Sequence, residues 1–326
     1  MDIKQHRRAL GALLPIVAIG MAAASATTSK SVRAEGEAER AERCAIRVSA
    51  AIVGKSPDAA LLANANPQSA VDDMLKTAEF NEKFARFINA RFNPEPGANS
   101  LEDQTYHLTK YVLENNKPWR ELYVGAYDIT QPQGGQPTVA ADPNGLGYFR
   151  TRAWMVRYAG NEGTQQSGYR IVSAYRILQN TTGLVLNAVT ATEGLDLSAT
   201  GRQAPACAGC HYSKWYALDK VSRLLSKRRG SGNNMTFDPP TEGAQDILDT
   251  TITPGADSDK MLVTKLLESN DYKMWTCRNA FNYLYGRDEN TCEAPTFERC
   301  MALMDDPNVT MQAAIAAIAK DPAYCQ

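Results

Sequence analysis

Histidine is scarce in this chain: three in 326 residues, His6, His107 and His211. So small a supply argues against a zinc site, which would need further ligands at a second knuckle. The signatures of common hydrolases and nucleotide enzymes are missing as well, with no G-x-S-x-G, no H-E-x-x-H and no P-loop. Charge of one sign is not in excess. Lys and Arg number 35 against 36 Asp and Glu, a net charge of -1 that argues against nucleic acid as the main partner. There is no internal repeat and no segment of strong strand alternation, which points away from solenoids and sheet-based folds. Paired acids occur at Asp72-Asp73 and Asp305-Asp306. Each pair sits beside a helix start or end and reads as capping rather than as acid–base machinery.

Against these absences stands one complete motif, Cys207-Ala208-Gly209-Cys210-His211. Two cysteines at this spacing can each form a thioether with a haem vinyl group. The adjoining histidine is then held beneath the iron as an axial ligand. The competing readings are a zinc knuckle and a thioredoxin-like disulfide. Zinc lacks further ligands, since His107 is the only other histidine after the leader. A thioredoxin motif would follow a β-strand in an α/β pattern that is missing here. The sequence therefore predicts one haem c, covalently attached through Cys207 and Cys210, with iron bound by His211.

The N-terminus predicts export. Lys4, Arg7 and Arg8 form a basic start, an apolar small-residue stretch runs from Ala9 to Ala24, and Ala24-Ser25-Ala26 makes an A-x-A cleavage site. Pro15 and Gly20 interrupt the apolar stretch and a polar segment follows it, so no stable membrane span is expected once the leader is removed. Arg43 before Cys44 does not suit a lipoprotein box. Arg7-Arg8 could suit a twin-arginine route, but haem c is attached to an unfolded exported chain, which favours general secretion. The expected location is periplasmic or otherwise exported.

The expected fold is mainly α. Residues 1–26 read as the signal peptide and 27–43, rich in Ala, Glu, Arg and Ser, as a flexible tether. Residues 44–190 read as a helical N-terminal module, and 191–326 as a cytochrome c-like helical module carrying the haem. Apolar residues recur at helical spacing through Val71, Met74, Leu75 and Ala78, then Phe80, Phe84, Phe87 and Ile88. Asn93-Pro94-Glu95-Pro96-Gly97 stops that stripe. Another helix is expected around Tyr106, Leu108 and Val112, ended by Asn115-Asn116. Residues 130–147, rich in Gly, Pro and Gln, read as a long loop. An amphipathic helix is expected over 170–186, and four more near 260–268, 272–285, 296–304 and 310–319.

The sixth iron ligand decides between carrier and enzyme. A methionine sulfur closes the iron, whereas an open site permits oxygen or peroxide chemistry. Met235, in the Gly-Ser-Gly-Asn-Asn-Met loop after the motif, is the first candidate, and His107 is the alternative. Met155, Met261 and Met274 are further candidates, though their helical spacing reads as core. Trp215 and Leu218, if helical, could cover a ring edge and exclude water. Lys214, Lys220, Arg223, Lys227, Arg228 and Arg229 form a basic run that is either a solvated face or a surface steering an acidic redox partner. Cys44, Cys277, Cys292, Cys300 and Cys325 remain outside the motif, and disulfides are their natural state in an exported protein. The last four permit three pairings. Closing Cys277 on Cys325 and Cys292 on Cys300 would clamp the helical tail and leave Cys44 unpaired.

Three stretches carry a resemblance to a known family. They are Met74-Leu75-Lys76 through Phe87 with Asn116-Lys117-Pro118-Trp119-Arg120-Glu121; Pro205 to His211 with Tyr216-Ala217-Leu218-Asp219; and Cys277 to Arg287 with Ala313 to Tyr324. Together they resemble large exported c-type haem proteins that carry helical modules of unassigned function around a single CxxCH. The resemblance spans roughly residues 70–326, and only the CxxCH is a specific motif. The segment after His211 departs from it, with Ser213-Lys214-Trp215-Tyr216 where the family continues into an Asp-Pro-x-Gly stretch. The resemblance implies a mainly helical fold and one-electron transfer with an unidentified redox partner protein. The runner-up is a periplasmic peroxidase or oxygenase with an open iron site. A third class is an assembly subunit in which haem is a core element.

Overall fold

The computed structural model describes residues 36–97, 100–133, 135–159, 171–187, 193–229 and 236–326. The mainly helical expectation holds. The N-terminal half contributes α1 (Glu37–Ile52), α2 (Ala59–Leu62), α3 (Val71–Met74), α4 (Ala78–Phe92), α5 (Gln104–Glu114) and α6 (Glu121–Val124). After a hairpin of β1 (Tyr127–Thr130) and β2 (Thr138–Ala141) come α7 (Arg152–Tyr158) and α8 (Ile171–Thr182). Two very short helices, α9 (Pro205–Ala208) and α10 (Leu218–Ser222), precede two more ribbons. These are β3 (Lys227–Arg229) with β4 (Thr236–Asp238), and β5 (Gln245–Ile247) with β6 (Thr250–Ile252). The chain ends in α11 (Ser258–Leu267), α12 (Asn270–Tyr285), α13 (Ala294–Leu303) and α14 (Met311–Ala319). All three ribbons are antiparallel pairs, and among the described residues no larger sheet forms.

Local chemistry explains where the main helices start. The hydroxyls of Thr77, Ser269 and Thr310 accept from the backbone N–H groups of Phe80, Tyr272 and Ala313, each 3.2 Å away. They cap α4, α12 and α14 by satisfying an otherwise orphaned donor. Gly286, at φ 69°, ends α12 in the left-handed conformation typical of helix stops. On α4 the buried residues Phe80, Phe84, Ile88 and Phe92 recur every four positions and form one apolar stripe. That stripe meets Trp119 and Tyr283 at the centre of the core. The Phe84 ring centroid lies 6.0 Å from Trp119 and 4.9 Å from Tyr283, both edge-on. Edge-to-face pairs of this kind add about 0.5–1.5 kcal/mol each beyond the area they bury.

The cysteine pairing differs from expectation. Cys44 bonds to Cys325 and Cys277 to Cys300, while Cys292 is a free, exposed thiol. Cys44 on α1 is thus not the odd cysteine. It lies on the buried face of that helix, which brings it to the C-terminal turn 281 residues later. Cys277–Cys300 ties α12 to α13, so the C-terminal helices are disulfide-clamped, though by another pair.

Two further expectations need correction. Helix α1 begins at Glu37, so residues 37–43 are not a tether; Ala, Glu and Arg are good helix formers, and acids in the first turn favour its N-terminus. The span 130–147 is not simply a loop, because β2 returns alongside β1 and the segment after it folds back onto α6. Helix α8 packs on α10, α11 and α12, and Gly36–Gln326 forms one compact unit. Among the described residues no helix is long and apolar enough to cross a membrane.

Candidate functional site

The CxxCH motif lies in a run of short helical turns between residues 201 and 222. A turn at Asp196 opens it: the Asp196 carboxylate accepts from Ser198 N–H at 2.8 Å, and Ser198 Oγ accepts from Gly201 N–H at 3.1 Å. A 3₁₀ turn, Gly201–Gln203, then carries Arg202 inward. Pro205 starts α9, where a missing N–H costs nothing. The next turn, Gly209–Ser213, is a π-turn, a wider coil frequent at functional positions. Cys207 is half-buried, Cys210 exposed, and both thiols are free. A Cβ placed on Gly209 would meet nothing within 4 Å, so the motif presents an open face.

Beneath that face sits a buried polar cluster. The Asp219 carboxylate, on α10, faces His211 Nδ1 at 2.7 Å through Oδ2. The same oxygen accepts from Arg202 Nε at 3.0 Å, and Oδ1 accepts from Arg202 Nη2 at 2.5 Å. Arg202 donates a further bond to the Leu197 carbonyl at 2.6 Å. The Tyr212 hydroxyl lies 2.9 Å from the Ala199 carbonyl and 3.2 Å from Asp219 Oδ1. Side chains of Arg202 and Asp219 are only 9% and 8% exposed, so this is a desolvated, two-pronged ion pair.

The cluster fixes the state of each partner. Burial opposes ionisation of Asp219, but the hydrogen bonds from His211 and Arg202 outweigh it and hold the carboxyl below its ordinary value. Burial and the Asp219 charge push the Tyr212 phenol up, so it stays protonated and able to donate. An ionised carboxylate can only accept, so the Nδ1 facing it carries the proton. With Nδ1–H facing the carboxylate, Nε2 is the nitrogen left for a metal.

The donor set suits haem better than a bare metal ion. Among the described residues, no three or more His, Cys, Asp or Glu side chains gather as a metal cage. Thioether attachment needs no such convergence: it needs two free thiols at CxxC spacing and one oriented imidazole, and Cys207, Cys210 and His211 supply these on successive turns. Protein-family models, curated proteins and solved structures yield no match to this chain.

The sixth-ligand candidates fare unequally. Met235 lies outside the described residues. His107, on α5, has Nε2 3.0 Å from the Ser100 carbonyl and its ring against Tyr106, so its partners come from the N-terminal half. Burial lowers its pKa. Met155 is buried on α7, as expected of a core residue, whereas Met261 and Met274 are exposed rather than core. Trp215 is not helical: Lys214 is extended and a turn follows, which leaves the indole half-buried beside Tyr216 at 5.5 Å. The basic run does not form one face. Arg223 pairs with Glu242, Arg229 with Asp238, and Arg228 donates to the Val156 carbonyl.

Arg202 and Asp219 are the site residues that sequence reasoning missed. The only signal for Asp219 is that it is the one acid in the stretch Ala217-Leu218-Asp219-Lys220-Val221. Nothing in the sequence marks Arg202 as its partner.

Proposed function

We propose that this chain is an exported monohaem c-type protein that transfers single electrons. Cys207 and Cys210 carry the thioethers in this reading, and His211 binds the iron through Nε2. The observation that carries it is the His211–Asp219 contact. A histidine that donates Nδ1–H to a buried carboxylate, close in sequence to two free thiols on successive turns, supports a ligand role over that of a core residue. Haem, when bound, supplies a one-electron ferric–ferrous couple.

The protein's own part is to hold and orient. Cys207 on α9 is followed directly by the π-turn that carries Cys210 and His211, and Arg202 keeps the Asp219 carboxylate from rotating away. Exposed Lys214 beside the motif offers positive charge to an acidic redox partner. Two disulfides among the described residues are compatible with an oxidising compartment and with the basic, apolar leader over residues 1–26.

Expression with the leader in a host that attaches haem c tests the reading. One covalent haem per chain should be measured by pyridine haemochrome in the periplasmic fraction, and it should be lost in Cys207→Ala/Cys210→Ala. Low-spin spectra with a sulfur-to-iron charge-transfer band that disappears in Met235→Ala would identify Met235 as sixth ligand and support a carrier. A high-spin spectrum that shifts with peroxide or carbon monoxide would replace the carrier with a haem enzyme. Absence of haem would overturn the proposal.

A further inference from the structure

We infer that Asp219, locked by Arg202, is the positioning residue that sets how strongly His211 donates to iron, and so where the one-electron potential falls. The inference rests on the haem reading above. Its ground is geometry. The 2.7 Å contact lies in the range of charge-assisted hydrogen bonds, and the carboxylate is nearly excluded from water. A carboxylate drawing on the Nδ1 proton raises the basicity of the other ring nitrogen. Stronger donation favours the ferric state and lowers the potential.

Arg202 works in the opposite sense on the same atoms. Its fork takes both carboxylate oxygens and disperses their charge, which limits how far the Nδ1 proton is drawn. It also removes the freedom of the carboxylate to swing, because Arg202 itself is tied to the Leu197 carbonyl. A single acceptor on a flexible side chain would give a spread of donor strengths. The buried fork gives one.

The test compares midpoint potentials of haem-loaded wild type, Asp219→Asn and the double variant Asp219→Asn/Arg202→Met. The single variant leaves Arg202 buried without its counter-charge and can fail to fold. In the double variant both charges leave together, so local net charge is unchanged and only the acceptor facing Nδ1 weakens. The expected result in each folded variant is a ferrous-to-ferric preference raised about tenfold to a hundredfold, the scale of outer-shell effects. For one electron that is an upward shift of about 59 mV per tenfold. The Nδ1–H proton resonance of His211 should move upfield in the same variants, and Asp219→Glu should recover part of both changes. Haem attached in wild type and the double variant, with an unmoved potential, would overturn this inference alone. Wild-type protein without covalent haem would overturn the proposed function and this inference with it.

Discussion

Single residues divide into those whose role is written in adjacent letters and those whose role depends on distant partners. The role proposed for Cys207, Cys210 and His211 is of the first kind, since thioether chemistry needs only their spacing. Asp219 belongs to the second: its meaning comes from Arg202, 17 positions earlier, through contacts that short irregular turns create. Asp103 is another of this kind. It is wholly buried, and its carboxylate accepts from Asn89 Nδ2 at 2.7 Å, Asn93 Nδ2 at 3.0 Å, Gly97 N–H at 3.0 Å and Ser100 Oγ at 3.0 Å. The proline-rich stop after α4 could be read from the sequence, but the carboxylate that organises it could not. Burial opposes its ionisation, yet these donors outweigh burial and hold its pKa below the ordinary value. A carboxyl lowered on folding stabilises the native state above about pH 4, its unfolded value, and that contribution is lost as pH falls through the lower native value. Asp103→Asn should therefore cost about 1–3 kcal/mol at pH 7, because an amide cannot accept from all these donors. Urea unfolding at pH 7 and pH 3 checks this: the wild type should lose more stability between the two than the variant does.

At the scale of elements, periodicity located helices well wherever packing is regular. The stripe Phe80, Phe84, Ile88 gives α4, and the apolar spacing near the C-terminus gives α11 to α14 within a few residues. It failed where a segment gains order from neighbours. Residues 37–43 lack an apolar face of their own, yet they extend a helix whose next turns are buried. The glycine-rich span near residue 140 was opaque for a different reason. Gly147 sits at φ 49° with its N–H donating to the Gly125 carbonyl at 2.7 Å, and a Cβ there would collide with the Leu122 carbonyl oxygen. Here glycine marks a close approach of two backbones instead of slack. Gly147→Ala should therefore destabilise by at least about 1–3 kcal/mol from the disfavoured backbone conformation alone. Calorimetry should show a clear fall in Tm. An unchanged Tm would mean that the segment is not packed against α6 as described.

The whole molecule is closed by a covalent link that no local pattern announces. Cys44–Cys325 joins the first described helix to the last turn, across 281 residues. Counting cysteines showed that one must be left over, but only the fold decides which, because pairing follows proximity and not order along the chain. Loss of this link in Cys44→Ser should cost about 2–5 kcal/mol. Cys292→Ser, at an exposed position, should cost less than about 0.5 kcal/mol. The same arrangement yields a test of the cofactor that needs no spectroscopy. Four of the seven cysteines are in disulfides, two belong to the motif, and Cys292 is free. Thioether formation consumes the motif thiols, so denatured, unreduced protein carrying haem c should react with one equivalent of a thiol reagent, at Cys292. Protein that never acquires haem should react with three, unless Cys207 and Cys210 have oxidised to each other. Peptide mapping distinguishes that last case, since a Cys207–Cys210 disulfide adds no haem mass whereas two thioethers do. One reactive thiol with haem mass on the motif peptide is the outcome that the arrangement of these seven cysteines requires of an exported c-type protein.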